Sequence, residues 1–434
     1  MLATRHKTIV AAFWIISSAS ILILIFLRLS PVGWDLHVYA NAIHSLRAGH
    51  DPYAEGVAVQ RMFHSSPLAL NRDAMPPYTY VYSPVTLLLL RVITLISPSF
   101  SAICYWMLYA AGFFTMICVC MEAAEPNERE IFTLLAPFAA FFPGLLQTNV
   151  IFSGNLAYIL YGLVFMAAAL GWRRGHWTCF YLMTLTASCC KAPLLSLLLI
   201  PVLSAKKQWV NAGVATAIGL VLFAMQPLLW PAMFHNYLEA VSLQFSFNHD
   251  FGFSPSGLLG NALFHLKLPY SSVSMGFYCV YAVVVLGTLF NLSRRFFAGD
   301  FSLQQWIPVM LLGVILLNPR IKEYDAAPLS LPMAMVAWRL FAHNNTFSRT
   351  VLEMSLFFLT INSIATTSPE IWKLTAGILL VGFFIAGSWL LLHEPPGPRS
   401  TLPLYRNMPP CSCQEKLASY DLTAQQKAAK NLTS

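Results

Sequence analysis

Residues 209–230 read WVNAGVATAIGLVLFAMQPLLW, twenty-two positions without a charge. That length and composition match the roughly 20 apolar residues that carry an α-helix across a bilayer core. Outward from it, Lys206–Lys207 precede the run and a polar stretch, 231–273, follows it. Further apolar segments lie at 80–97, 101–121, 131–147, 155–171, 178–190, 192–204, 274–292, 305–317, 326–341, 350–366 and 371–392. Several are shorter than a full crossing, and their ends are rich in Pro, Gly and Asn, as where helices break around a cavity. No repeat relates one half of the chain to the other.

The composition agrees. Of 434 residues 57% are hydrophobic and 10% charged, against roughly 25% charged in a soluble domain; the mean hydropathy is +0.62. Too few charges exist to cover a water-facing surface, so the fold class is an all-α integral membrane protein. The net charge of +8 is spread as doublets between apolar runs, with no dense basic patch for nucleic acid, and orients helices instead. Seven cysteines fall in or at the ends of apolar runs and read as small core residues. Cys411 and Cys413 stand at CxC spacing in the tail with no second pair or histidine cluster, so no zinc site is expected.

Arg5, His6 and Lys7 precede an apolar run over about Thr8–Leu27 that lacks a small-residue cleavage site. This reads as an uncleaved first helix starting in the cytoplasm. Arg173–Arg174, Lys206–Lys207, Arg294–Arg295 and the stretch Arg339–Arg349 alternate with less basic loops. With those four inside, 231–273, 318–325 and 366–372 fall outside, as do 147–154 and the turn Cys190–Lys191–Ala192–Pro193, while 122–130 falls inside. The first loop, 28–79, is then external. Only an even number of crossings can join it to 147–154, so one of three segments is re-entrant or interfacial. We assign this to 80–97, which Tyr82–Ser83–Pro84 opens and Arg91 interrupts. About twelve crossings result, in a membrane domain over 1–392 with a loosely ordered cytoplasmic tail over 393–434.

The chemistry concentrates on the external side. The first loop reads WDLHVYANAIHSLRAGHDPY over 34–53. The spacing predicts a short amphipathic helix over 36–47 with Leu36, Val38, Ile43 and Leu46 as apolar contacts, stopped by Gly49 and followed by a turn at Asp51–Pro52–Tyr53. Asp35 at its start fits a general base at the membrane surface and equally fits a helix N-cap. Lys191, a lone cation between apolar runs, needs a function or a partner, or else snorkels. Residues 318–325 pack Arg320, Lys322, Glu323 and Asp325 between two apolar helices, as an anion site or as an internally neutralised turn. Ser153–Gly154–Asn155 at a helix start could present N–H groups to an anion. Together these outline an external cavity suited to a phosphate-bearing lipid headgroup. His37 and His44 share a helix face, but no zinc-ligand spacing appears; His235, His249 and His265 read as loop or interface residues, and Asn248–His249–Asp250 could contact a sugar.

The stretch Trp34-Asp35-Leu36-x-Val38-Tyr39 followed by Leu46-x-Ala48-Gly49-x-Asp51-Pro52-Tyr53 resembles the first-loop motif of glycosyltransferase family 87, membrane enzymes of the GT-C fold. Tyr80-x-Tyr82-Ser83-Pro84 is similar to that family's aromatic–proline turn, Lys191-Ala192-Pro193 to its Lys-x-Pro turn and Asn318-Pro319-Arg320 to its late Ser-Pro turn. Gly154–Asn155 stands where many members have Gly-Gln. Tyr324–Asp325 stands where members often carry histidine, which moves weight from a histidine to Arg320, Lys322 and the Tyr–Asp pair. The resemblance covers about residues 8–392.

The resemblance implies an inverting transfer of a hexose, mannose in particular, from a polyprenyl-phosphate donor to a lipid or glycan acceptor of the cell envelope. Asp35 is then the catalytic base. Lys191, Arg320 and Lys322 stabilise the donor phosphate, and His37, Tyr39, Tyr53, Tyr82, Asn155, Tyr324 and Asp325 line the substrates. A phosphate monoester leaving group needs less neutralisation than a nucleotide diphosphate, so neither metal nor cofactor is expected. The setting implied is a bacterial cytoplasmic membrane with the site outside. A protein O-mannosyltransferase usually pairs Asp with Glu in this loop, and here Leu36 follows Asp35. A transporter or lipid-linked-sugar flippase is the alternative from another class, although repeats and midplane ion sites are missing. A purely structural subunit leaves Lys191 and 318–325 unexplained.

Overall fold

The computed structural model describes residues 33–66, 79–93, 98–126, 128–129, 132, 153–246, 251–343 and 369–393. The expected first helix over Thr8–Leu27, Pro76–Tyr78, the segment 131–147 apart from Phe132, Asn248–Asp250, the segment 350–366, Cys411, Cys413 and the tail beyond His393 lie outside these. The described residues form helices and connecting turns, with no strand among them. In chain order the helices are α1 (Trp34–Arg47), α2 (Pro52–Ser65), α3 (Pro84–Ile93), α4 (Pro98–Met121), α5 (Ala157–Arg174), α6 (Thr178–Cys190), a 3-10 turn Ala192–Leu198 running into α7 (Leu199–Ser204), and α8 (Trp209–Leu229). Then come α9 (Pro231–Ser246), α10 (Pro255–His265), α11 (Ser271–Ala298), α12 (Leu303–Leu316), a single turn Glu323–Ala326, α13 (Ser330–His343) and α14 (Pro369–His393).

Among the described residues, three helices are long and apolar enough to cross a membrane: α8, α11 and Lys373–His393 of α14. The first two leave large aliphatic side chains uncovered, among them Val210 at 75%, Leu228 at 80% and Val283 at 69% exposure. An apolar face that wide is not sustained in water. These faces meet lipid. Helix α12 is the opposite case, buried from Trp306 to Leu316 among α7, α11, α13 and α14. Ser302 caps it in a reciprocal capping box with Gln305. Helices α4 and α5 approach most closely, where a Cβ on Gly162 would come within 2.4 Å of Gly112 Cα; only glycines allow backbones so near.

Three expectations change here. The stretch 231–273 is mostly helical: α9 and α10 occupy it, each opened by proline at its first residue. Asp51–Pro52–Tyr53 is the start of α2 rather than a turn, since Asp51 Oδ1 accepts from Tyr53 N at 2.9 Å and Ala54 N at 3.4 Å. Of the cysteines, Cys190 is buried, whereas Cys179 and Cys279 are exposed and so are not core residues.

The polar segments gather at two ends of the bundle. At one, Arg173 pairs with Glu122 and Arg339 grips Glu128 through Nε at 2.9 Å and Nη2 at 2.8 Å. There too Trp172 Nε1 donates to Ser204 Oγ, Trp306 Nε1 to Leu203 O, and Arg295 Nη1 to Leu392 O. At the other, α2 lies on α9: Arg61 pairs with Glu239, Asn236 Nδ2 donates to Asp51 Oδ2 at 2.9 Å, and the Tyr53 and Tyr237 rings meet edge-on. Among the described residues, the first and second large loops thus share one end, and Arg173, Ser204, Arg295 and Arg339 of or beside the basic loops lie toward the opposite end. The described part of α3, Pro84–Ile93, packs against α1 and α6.

Candidate active site

Asp35 stands in the first turn of α1, where a carboxylate complements the helix dipole. It is not the N-cap. That position is Gly33, at φ +82°, and no side chain caps it. Asp35 points across to the start of α5, whose Asn155 Nδ2 donates to Asp35 Oδ2 at 3.0 Å. Asn155 Oδ1 accepts in turn from Ala157 N at 2.9 Å and from the Tyr82 hydroxyl at 2.9 Å.

The turn that carries Asn155 is stapled at every residue. Ser153 O accepts from Asp35 N at 2.9 Å, Gly154 O from the Tyr105 hydroxyl, and Ser153 Oγ from Asn155 N at 3.1 Å. The Tyr39 hydroxyl accepts from Leu156 N at 3.1 Å. Gly154, at φ +73°, sits against Gly33 and Leu36, where a Cβ would press on Leu36 Cβ at 3.1 Å. Since the N–H groups of 155, 156 and 157 all have protein partners, this helix start does not offer the free donors expected for an anion. Its polar groups serve Asp35 instead.

A second cluster faces the first. Lys191 Nζ pairs with Asp325 Oδ1, at side-chain exposures of 12% and 0%. Tyr161 donates to the same oxygen at 3.1 Å, and Lys322 N to Oδ2 at 3.0 Å. The Lys191 ammonium also lies over the Tyr324 ring, 4.3 Å from its centre, a favourable cation–π contact. Lys191 therefore does not snorkel: the buried carboxylate of the 318–325 turn is met by this lysine from the α6 end. Arg320 N donates to Asn318 Oδ1 at 3.0 Å. The extended stretch Phe251–Ser254 and the start of α10 support the turn through Phe253 N to Ile321 O at 2.9 Å and Ser256 Oγ to Pro319 O at 2.9 Å.

The two clusters form one site. Lys191, Arg320 and Lys322 lie close enough to act on one another's charge. The Tyr324 hydroxyl is pushed far above its ordinary range by burial first, then by Tyr82 and Asp325, with Asp35 adding to the rise. Burial and then Asp35 push Tyr82 up as well, and burial does the same to Tyr39. These phenols stay protonated and serve as donors or fixed dipoles.

Of the residues singled out from sequence, Asp35, Asn155, Tyr82, Lys191, Tyr324 and Asp325 come together, with Arg320 and Lys322 beside them. Tyr39 and Tyr53 stand one layer back. Tyr53 is buried and its hydroxyl donates to Tyr82 O at 2.6 Å. His37 faces outward, exposed, as do His235 and His265. The sequence reading missed Tyr105 and Tyr161; no local pattern marks them, since each acts on a residue far along the chain.

Fold and site define a helical membrane protein with a carboxylate–cation site at one end of its bundle. No protein-family model matches the chain, and no curated protein matches it.

Proposed function

We propose that the chain is a polytopic membrane glycosyltransferase of GT-C-like architecture with about twelve crossings. It moves a hexose, mannose in the first instance, from a polyprenyl-phosphate donor to a lipid or glycan acceptor on the non-cytoplasmic face. The observation that carries this reading is the juxtaposition of Asp35, held by Asn155 and Tyr82, with a cation group of Lys191, Arg320 and Lys322. Asp35 takes the proton of the acceptor hydroxyl, whose oxygen attacks the anomeric carbon as the bond from that carbon to the phosphate oxygen breaks. The leaving group is polyprenyl phosphate, and inversion follows from a single displacement. Its charge falls to the group of Lys191, Arg320 and Lys322, with Asp325 holding the Lys191 ammonium in place. Tyr82 and Tyr324, partly open beside the two clusters, are available to the sugar.

The test uses membranes carrying wild type or Asp35→Asn with labelled polyprenyl-phosphate hexoses. Transfer is expected to fall by about 10²–10⁴-fold, the usual worth of a general base. Equal transfer by both removes Asp35 from catalysis, and uptake of label without transfer supports a transporter instead.

A further inference from the structure

Asn155 has a geometry that its position at a helix start does not require. Its Oδ1 already accepts from Ala157 N, two residues on, which is all that capping asks of an Asn. That backbone donor also fixes which end of the amide is which: the oxygen must face Ala157 N, so the nitrogen must face Asp35 Oδ2. The Tyr82 hydroxyl, a second donor to Oδ1, holds the same orientation. The side chain is buried, at 2% exposure, and cannot turn without losing these bonds.

We propose that Asn155 is the positioning residue of the site: its oriented amide aims the Asp35 carboxylate and favours its ionised form, with Tyr82 holding the amide in place. The role rests on the transferase reading only for its kinetic consequence. A hydrogen bond to the charged form of a carboxyl favours that form, and a base is useful only when ionised. Among the groups that act on Asp35 are the phenols of Tyr39, Tyr82, Tyr105, Tyr109 and Tyr324. Phenols ionise ordinarily near 10, and Arg320, beyond Tyr324, stays charged at all accessible pH. Labelling of the Asp35 peptide itself, rather than activity alone, is what a pH scan between about 4 and 8 follows.

The deciding variant is Asn155→Asp. It keeps the shape of the side chain and an oxygen for Ala157 N and Tyr82, so a purely capping role survives. It replaces the donor beside Asp35 with a second carboxylate oxygen, and two carboxylates in contact cannot both ionise. In the purified full-length protein, the pH of half-maximal modification of the Asp35 peptide by a carbodiimide, which attacks protonated carboxyls, is expected to rise by at least about one unit. Asn155→Ala should move it in the same direction, and Tyr82→Phe less, because Ala157 N still orients the amide. With labelled polyprenyl-phosphate mannose as donor, kcat should drop about 10²-fold and the acid limb of kcat/KM should move up with the labelling midpoint. KM for the donor stays within about threefold, since no donor contact is removed. A folded Asn155→Asp variant labelled at the wild-type pH overturns the proposal. A shift in labelling with no transfer by any variant, wild type included, sustains the role of Asn155 and overturns the proposed function.

Discussion

Lys191 and Asp325 stand 134 residues apart in sequence, and no periodicity joins them, so the sequence presents each as an isolated charge. Only the packing of the α6 end against the 318–325 turn reveals that each explains the other. Breaking a buried pair on one side leaves an uncompensated charge, at a cost of about 3–5 kcal/mol. Lys191→Met and Asp325→Asn should each lower the thermal unfolding temperature in detergent sharply. The double variant should recover part of the loss, because the amide oxygen introduced at position 325 can still accept from Tyr161 or from Lys322 N, which meet different oxygens of Asp325. Additive losses would mean that the pair is not the stabilising unit. At the exposed end of α1, the Ser45 hydroxyl first and His50 second hold Glu55 below its ordinary value of 4.5. A carboxyl with a depressed folded value stabilises above its unfolded value and loses that contribution as pH falls through the folded one. Protection of the amides over 45–55, relative to their intrinsic exchange, should therefore be steady from pH 7 to about 5 and fall below about 4.5, and Glu55→Gln should remove this pH dependence.

At the scale of elements, prolines separated what was legible from what was not. Helix α1 was readable from its apolar spacing, with Gly49 at φ +82° just beyond its end. Helices α2, α9 and α10 were not, because Asp51–Pro52, Pro231 and Ser254–Pro255 read equally as turns and as helix starts. Asp or Ser at the cap with Pro at the first position is a helix signal, but the polar composition that follows outweighs it unless another element covers the helix. Here α2 and α9 cover each other. The α4–α5 contact was also hidden, since Gly112 and Gly162 lie in unrelated apolar runs. Gly162→Ala would place Cβ 2.4 Å from Gly112 Cα and 2.7 Å from Gly112 O, and neither backbone can yield alone. The expected cost is about 1–3 kcal/mol, read as a lowered unfolding temperature. Gly213→Ala in α8, where nothing lies within 4 Å of the new methyl, should be neutral or slightly stabilising through helix propensity. Equal effects at the two positions would contradict the close crossing.

At the scale of the whole molecule, the charge pattern and the packing divide the chain in the same way. The loops with Arg173–Arg174 and Lys206–Lys207 lie toward the end where Arg173 meets Glu122 and Trp172 meets Ser204, away from the end where Arg61 meets Glu239 and Asn155 meets Asp35. Packing shows which described loops share an end; which end faces the cytoplasm is what the distribution of Lys and Arg predicts. The second step has its own test. In a cysteine-free background, needed because Cys179 and Cys279 are exposed, single cysteines go in at Met62, His235, Arg174 and Lys207, all exposed. A membrane-impermeant maleimide applied to intact cells should label the first two positions and reach the last two only after permeabilisation. The reverse pattern would keep the bundle intact but turn the Asp35 site to the cytoplasm. A mixed pattern within either pair would break the two-ended architecture itself, since Met62 and His235 lie on helices that pack together and cannot face opposite sides of a bilayer.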